Sequence, residues 1–168
     1  MNIYLVRHGQ AESVSSTGRD EDRQLTDQGK MEIAALGKTL GRLNVSLDAI
    51  FSSPFKRAQM TGNLIADNLL DSPIPQVVAE MACGANFDTL RTKLAKDYKK
   101  LRNLLLVGHM PDLGEIVSEW THRAAPQNFR PGTLCRLHLP SSVLSDDPAQ
   151  ITLYLDPSDY SLLSTSYA

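Results

Sequence analysis

The chain has 168 residues, 42% of them apolar and 21% charged, with a formal net charge of -2. That length suits one well-buried core and is short for two, so residues 1–168 are read as a single domain. So small a charge offers no general attraction to nucleic acid or to an anionic membrane, so any anion site has to be local.

In chain order, Ile3-Tyr4-Leu5-Val6 is a short apolar strand that ends in Arg7-His8-Gly9, where the glycine permits a sharp turn. Arg7-His8 also interrupts the only early apolar run, so no leader or membrane span is read and the cytoplasm is the expected location. Residues 10–24 are polar and charged and predict a mobile loop at the rim of whatever Arg7 and His8 form. Thr26 is a candidate N-cap for a helix with Ile33, Leu36, Leu40 and Leu43 on one face, and Gly29 stands where a capping box would place Glu or Gln.

Residues 48–52 read as a second strand, with Ser53-Pro54 opening a helix that buries Ala58, Thr61, Leu64, Ile65 and Leu69. A short strand follows at 76–79, then an amphipathic helix from Phe87 to Lys99 with Leu90 and Leu94 inward. Leu104-Leu105-Leu106-Val107 is a continuous apolar run, the pattern of a central strand covered on both faces. It ends in Gly108-His109-Met110-Pro111, from which a helix carries Ile116, Val117 and Trp120. Two more strands, 134–139 and 151–155, are joined through Asp146-Asp147-Pro148, and the tail 158–168 is expected to be loosely held. Strands alternating with helices predict an α/β fold: a three-layer α/β/α sandwich with a mostly parallel sheet and an antiparallel edge strand.

Alone, Arg7-His8-Gly9 fits a strand that ends in polar residues with the imidazole capping a turn. A second strand end bearing His109 and a third leading to Lys56 and Arg57 change that reading. In open α/β sheets ligands gather beyond the carboxyl ends of the strands, where parallel neighbours would bring two histidines and two arginines into one pocket. A divalent metal would want carboxylates or thiolates beside the imidazoles, whereas guanidinium forks repel a cation and grip an oxyanion. The helix after Pro111 directs its free N–H groups toward His109, making Met110 a further phosphate-binding candidate. The pocket reads as one built for phosphate, and no metal or cofactor is expected.

Leu5-Val6-Arg7-His8-Gly9, Leu25-Thr26-Asp27-Gln28-Gly29, the block from Ser52 to Thr61 and Val107-Gly108-His109-Met110-Pro111 resemble the signature blocks of the histidine phosphatase superfamily, whose fold is phosphoglycerate mutase-like. Within it the chain is most similar to the small SixA-type phosphohistidine phosphatases, over residues 1 to about 118. The resemblance implies that His8 is a nucleophile forming a transient phosphohistidine. It implies too that Arg7, Arg57 and His109 hold the non-bridging oxygens. Glu80 aligns where many members carry a leaving-group acid, and a solvated strand-end glutamate stays open as the alternative.

The expected activity is that of a metal-independent phosphatase acting on protein phosphohistidine. A phosphatase of small phosphomonoesters, a mutase of the same superfamily and a non-catalytic phosphate- or phosphoprotein-binding module are the alternatives. The expected partner is thus a phosphorylated protein or a small phosphoester, met by a monomer with no nucleic-acid or membrane partner. Cys83 and Cys135 match no metal spacing and are expected reduced and buried. His122 and His138 sit away from the strand ends, Lys93, Lys96, Lys99 and Lys100 form a solvated basic face, and Lys56 points away from the pocket. Ser53 is read as a cap or supporting hydrogen bond, and Gln10 as a weak phosphate contact from the loop.

Overall fold

The computed structural model describes residues 1–160. Six strands, β1 (Asn2–Arg7), β2 (Ala49–Ser52), β3 (Gln76–Val77), β4 (Asn103–Gly108), β5 (Leu134–His138) and β6 (Gln150–Leu155), form one sheet in the order β3-β2-β4-β1-β5-β6. The first four run parallel to one another, while β5 pairs antiparallel with β1 and with β6. Among the described residues, helices α1 (Asp27–Arg42), α2 (Lys56–Ala66), α3 (Phe87–Asp97) and α4 (Asp112–Thr121) cover the faces, and residues 157–160 are also helical.

Successive strand side chains point to opposite faces, which divides the core in two. Tyr4, Val6, Ile50, Leu105 and Val107 pack with Ile33, Leu36, Leu40, Ala58 and Ile65 of α1 and α2. Ile3, Leu5, Ala49, Phe51, Leu104 and Leu106 pack with Leu90, Leu94, Leu113, Ile116, Val117 and Trp120 of α3 and α4. The result is the expected α/β/α sandwich with an antiparallel β5–β6 edge. Among the described residues no helix is long and apolar enough to cross a membrane.

Local signals placed most elements within a residue or two. Thr26 caps α1 by accepting from the Gly29 N–H at 3.1 Å, and Asn86, not foreseen as a cap, does the same for α3 through Asp88 and Thr89. Leu43 falls just past the end of α1 and is half exposed, so it does not join the buried face. α2 starts at Lys56 rather than at Pro54, with Phe55 in the capping position, and α4 starts at Asp112, one residue after Pro111. Of the tail, Tyr160 is fully buried with its hydroxyl donating to the Gly132 carbonyl at 3.0 Å, and residues 161–168 lie outside the described part.

The segment leaving β1 crosses α1 at close range. A Cβ on Gly29 would lie 2.2 Å from the Gln10 carbonyl oxygen, and one on Gly9 would lie 2.7 Å from Ile33 Cγ1. Gly9 is therefore required by proximity, since its backbone is not in the left-handed region. The glycine in the capping-box position is the space through which the strand-end segment passes.

Candidate active site

Parallel register assembles the site. β1 pairs with β4 so that Arg7 lies opposite Gly108, which sets His8 beside His109 just beyond the sheet. Their ring centroids are 5.1 Å apart, and both rings are almost wholly buried. β2 flanks β4 on the other side, where the Ser53 N–H continues the ladder to the Val107 carbonyl, placing Ser53 against His109. α2 then turns Arg57 back over His8 from its first turn.

The contacts of His8 fix its proton. Nδ1 lies 2.8 Å from the Gly9 carbonyl, which can only accept, so Nδ1 carries the hydrogen. Nε2 takes a bond from Arg57 Nε–H at 3.3 Å, and a guanidinium can only donate, so Nε2 carries the lone pair. Burial lowers the His8 pKa from 6.5 to about 3 against the opposing pull of the Gly9 carbonyl, with the His109, Arg57 and Arg7 charges adding to the depression. The ring is therefore neutral near pH 7, with a bare nitrogen aimed at a cation.

His109 is held differently. Its Nε2 lies 2.7 Å from Ser53 Oγ, which already accepts from the Phe55 N–H at 3.3 Å. The serine hydroxyl can donate to Nε2 or accept from it, and the other ring nitrogen, Nδ1, is a buried atom without a partner among the described residues. Burial first, and the Arg57 charge next, lower the His109 pKa to about 4. Arg7 donates from Nη1 to the Phe129 carbonyl at 2.8 Å, and its buried Nε has no partner either. An unmet buried donor costs roughly 1–3 kcal/mol, so the Arg7 guanidinium constitutes a standing demand for an acceptor. An oxyanion meets it.

Of the residues expected at the site, His8, His109 and Arg57 are in direct contact, and the Arg7 charge acts on both rings. Glu80 lies in a 3₁₀ turn at Ala79–Met81, not at a strand end; its carboxylate is 3.6 Å from Lys93 Nζ on α3, and the residue lines a small cavity that His109 also lines. The Met110 side chain packs against Gly114, and the first amides of α4 are already taken: Leu113 donates to the His109 carbonyl, Gly114 and Glu115 to that of Pro111. The helix start therefore offers less to an anion than its sequence implied. Gln10 points back to Thr26, whose hydroxyl donates to its Oε1 at 2.8 Å. Cys83 is exposed rather than buried, whereas Cys135 is buried as expected.

Two residues escaped the sequence reading. Thr61 looked like one more small residue on the buried face of α2, yet its hydroxyl accepts from the Gly9 N–H at 3.1 Å and donates to the Arg57 carbonyl at 2.7 Å. It thereby ties the turn after His8 to the helix that carries Arg57. Asp20 brings a carboxylate to Arg57 from the loop, accepting from Nη2 at 2.9 Å and, at its backbone carbonyl, from Nη1 at 2.7 Å. The same loop is pinned by Lys56, which pairs with Asp22 at 2.8 Å. The acidic run 20–22 was its only signal in the sequence.

The family model of the histidine phosphatase superfamily (branch 1) matches residues 3–127. An uncharacterised protein of Picosynechococcus is 37% identical over 120 residues, covering 68% of this chain and 70% of that protein. The phosphohistidine phosphatase SixA homolog of Haemophilus influenzae is 31% identical over 147 residues, covering 82% of this chain and 87% of its own. A solved structure of the protein histidine phosphatase SixA complexed with tungstate matches the fold with a TM-score of 0.82, at 24% identity, over 94% of this chain and 98% of that one.

Proposed function

The chain belongs to the histidine phosphatase superfamily, and from that premise we propose that it is a metal-independent phosphatase that removes the phosphoryl group from protein phosphohistidine through a phosphorylated His8. The observation that carries this reading is the buried, neutral His8 ring, with its Nδ1 proton held on Gly9 and its Nε2 lone pair beneath Arg57.

In the first step the Nε2 lone pair forms a bond to phosphorus while the bond from phosphorus to the substrate nitrogen breaks in line. The departing imidazole keeps that electron pair and leaves as a neutral ring once its other nitrogen is protonated from solvent. Stabilisation of charge on the three transferring oxygens is assigned to Arg57, which bonds His8 Nε2, to Arg7 with its unpartnered Nε, and to His109. Phosphorylated His8 retains its Nδ1 hydrogen on the Gly9 carbonyl, so the ring bears positive charge and is poised to leave. Water then attacks phosphorus, and His8 departs as the neutral imidazole it was. An imidazole leaves phosphorus more readily than an alkoxide, so this chemistry makes little demand on a leaving-group acid such as Glu80.

Support for a macromolecular substrate comes from an open groove of about 540 Å3 that adjoins the site at Met110 and Pro111 and runs past Phe87, Gly114 and Ser118. The SixA homolog of Haemophilus influenzae points the same way by its name. The test is a substrate panel with chelator present: phosphohistidine proteins, simple phosphomonoesters and a phosphoglycerate. Release of phosphate from phosphohistidine well above the rate from esters is expected. Preference for the esters, isomer formation without phosphate release, or binding without turnover would each overturn the reading in favour of one alternative.

A further inference from the structure

The carboxylate of Asp20 has no task in the scheme above, yet its bonds to Arg57 are among the most specific in the site. Asp20 takes the end of the guanidinium twice, at its carbonyl from Nη1 and at Oδ2 from Nη2. The Nε–H on the flank faces His8 Nε2. A guanidinium is a rigid planar fork, and Nε shares its flank with one hydrogen of Nη2. Gripping the end therefore leaves the flank directed at the nitrogen that would carry the phosphoryl group.

Asp20 is itself held from behind. Its Oδ1 accepts from Arg23 Nη1 at 2.8 Å, and Arg23 Nε in turn donates to the Glu12 carbonyl. Asp22, two residues on, accepts from Thr17 at 2.6 Å and pairs with Lys56, the neighbour of Arg57 on α2. The loop and the first turn of α2 are thus joined at two successive residues. A carboxylate merely seated in the place of a phosphate would be expected to take the flank and to part Arg57 from His8. Here the Arg57–His8 contact persists with Asp20 bound.

We infer that Asp20 is a positioning residue, which clamps the end of Arg57 so that its Nε–Nη2 edge addresses a phosphoryl group on His8 Nε2. This rests on the proposed role of His8 and adds a residue that the family blocks quoted above do not contain.

The test uses the full chain with Asp20→Ala, Asp20→Asn and, as reference, Arg57→Ala, each labelled with 15N-histidine. Asp20→Ala should slow phosphoryl transfer to His8 by about 10- to 100-fold, the scale expected when a catalytic group loses its alignment, with KM little changed. Its His8 Nε2 resonance should move toward that of Arg57→Ala, and Asp20→Asn, which keeps an acceptor oxygen, should recover most of the rate. Faster turnover or tighter inhibition by inorganic phosphate in Asp20→Ala would overturn the inference, because the carboxylate would then compete for the phosphate seat. An unmoved His8 resonance would overturn it as well. The resonance is read without turnover, so a wild-type chain inactive on every phosphohistidine substrate would sink the proposed function while the clamp was still judged on its own.

Discussion

At the scale of single residues, the histidines set the pH response. His8 has to be neutral to attack, and burial holds its pKa at about 3 instead of 6.5. The acid limb of kcat/KM, corrected for the ionisation of the substrate phosphate, should therefore lie below about pH 4, and a limb near 6.5 would contradict the burial argument. Ser53→Ala removes the partner of His109 Nε2 and leaves a buried ring nitrogen unpaired, a loss of roughly 1–3 kcal/mol that urea denaturation would register. The same variant frees the His109 tautomer, so turnover should fall with it. Arg7, His8, Arg57 and His109 were legible because each stands at a strand end or in the first turn of the following helix. Asp20 and Thr61 were not, since a loop aspartate and a small helical threonine carry no periodicity that says where they point.

At the scale of elements, two glycines of α1 make opposite predictions. Alanine normally stabilises a helix interior over glycine by about 0.8–1 kcal/mol. Gly41→Ala should show that gain, because its Cβ would meet only ordinary contacts at 3.5 Å or beyond. Gly29→Ala should instead destabilise by about 1–3 kcal/mol, because the Gln10 backbone, 2.2 Å from the new carbon, cannot yield without moving the segment after His8. Comparing the two urea midpoints checks the pair, and equal gains would refute the close crossing. Thr26 and the apolar period of 3.6 announced α1, and unbroken apolar residues announced β4. The starts of α2 and α4 slipped because a proline marks the beginning of a turn more firmly than the residue at which helical bonding sets in. The strand at 76 ends two residues early for a related reason, so Glu80 sits in the turn that follows, its carboxylate beside Lys93 of α3.

At the scale of the whole molecule, the same buried rings link stability to pH. In the unfolded chain both histidines protonate near 6.5, while the folded rings stay neutral until about 4 and about 3. Between these values the unfolded state binds more protons, so stability is full above about pH 6.5 and is lost on acidification, by up to about 1.4 kcal/mol per pH unit for each ring. His109→Asn should flatten the fall of the urea midpoint between pH 7 and 5. The layered architecture was legible because strand and helix periods alternate from β1 to α4. How the loop at 10–24 lies was not, because its position depends on ion pairs with α2 that form only once the sheet has brought Arg57 to His8. The most direct measurement is to quench the wild-type chain during turnover of a phosphohistidine protein and map any acid-labile phosphoryl group by mass spectrometry and 31P NMR. A phosphoryl group on Nε2 of His8, absent from His8→Ala, is the result expected; sustained phosphate release with the label on another residue, or on none, would contradict it.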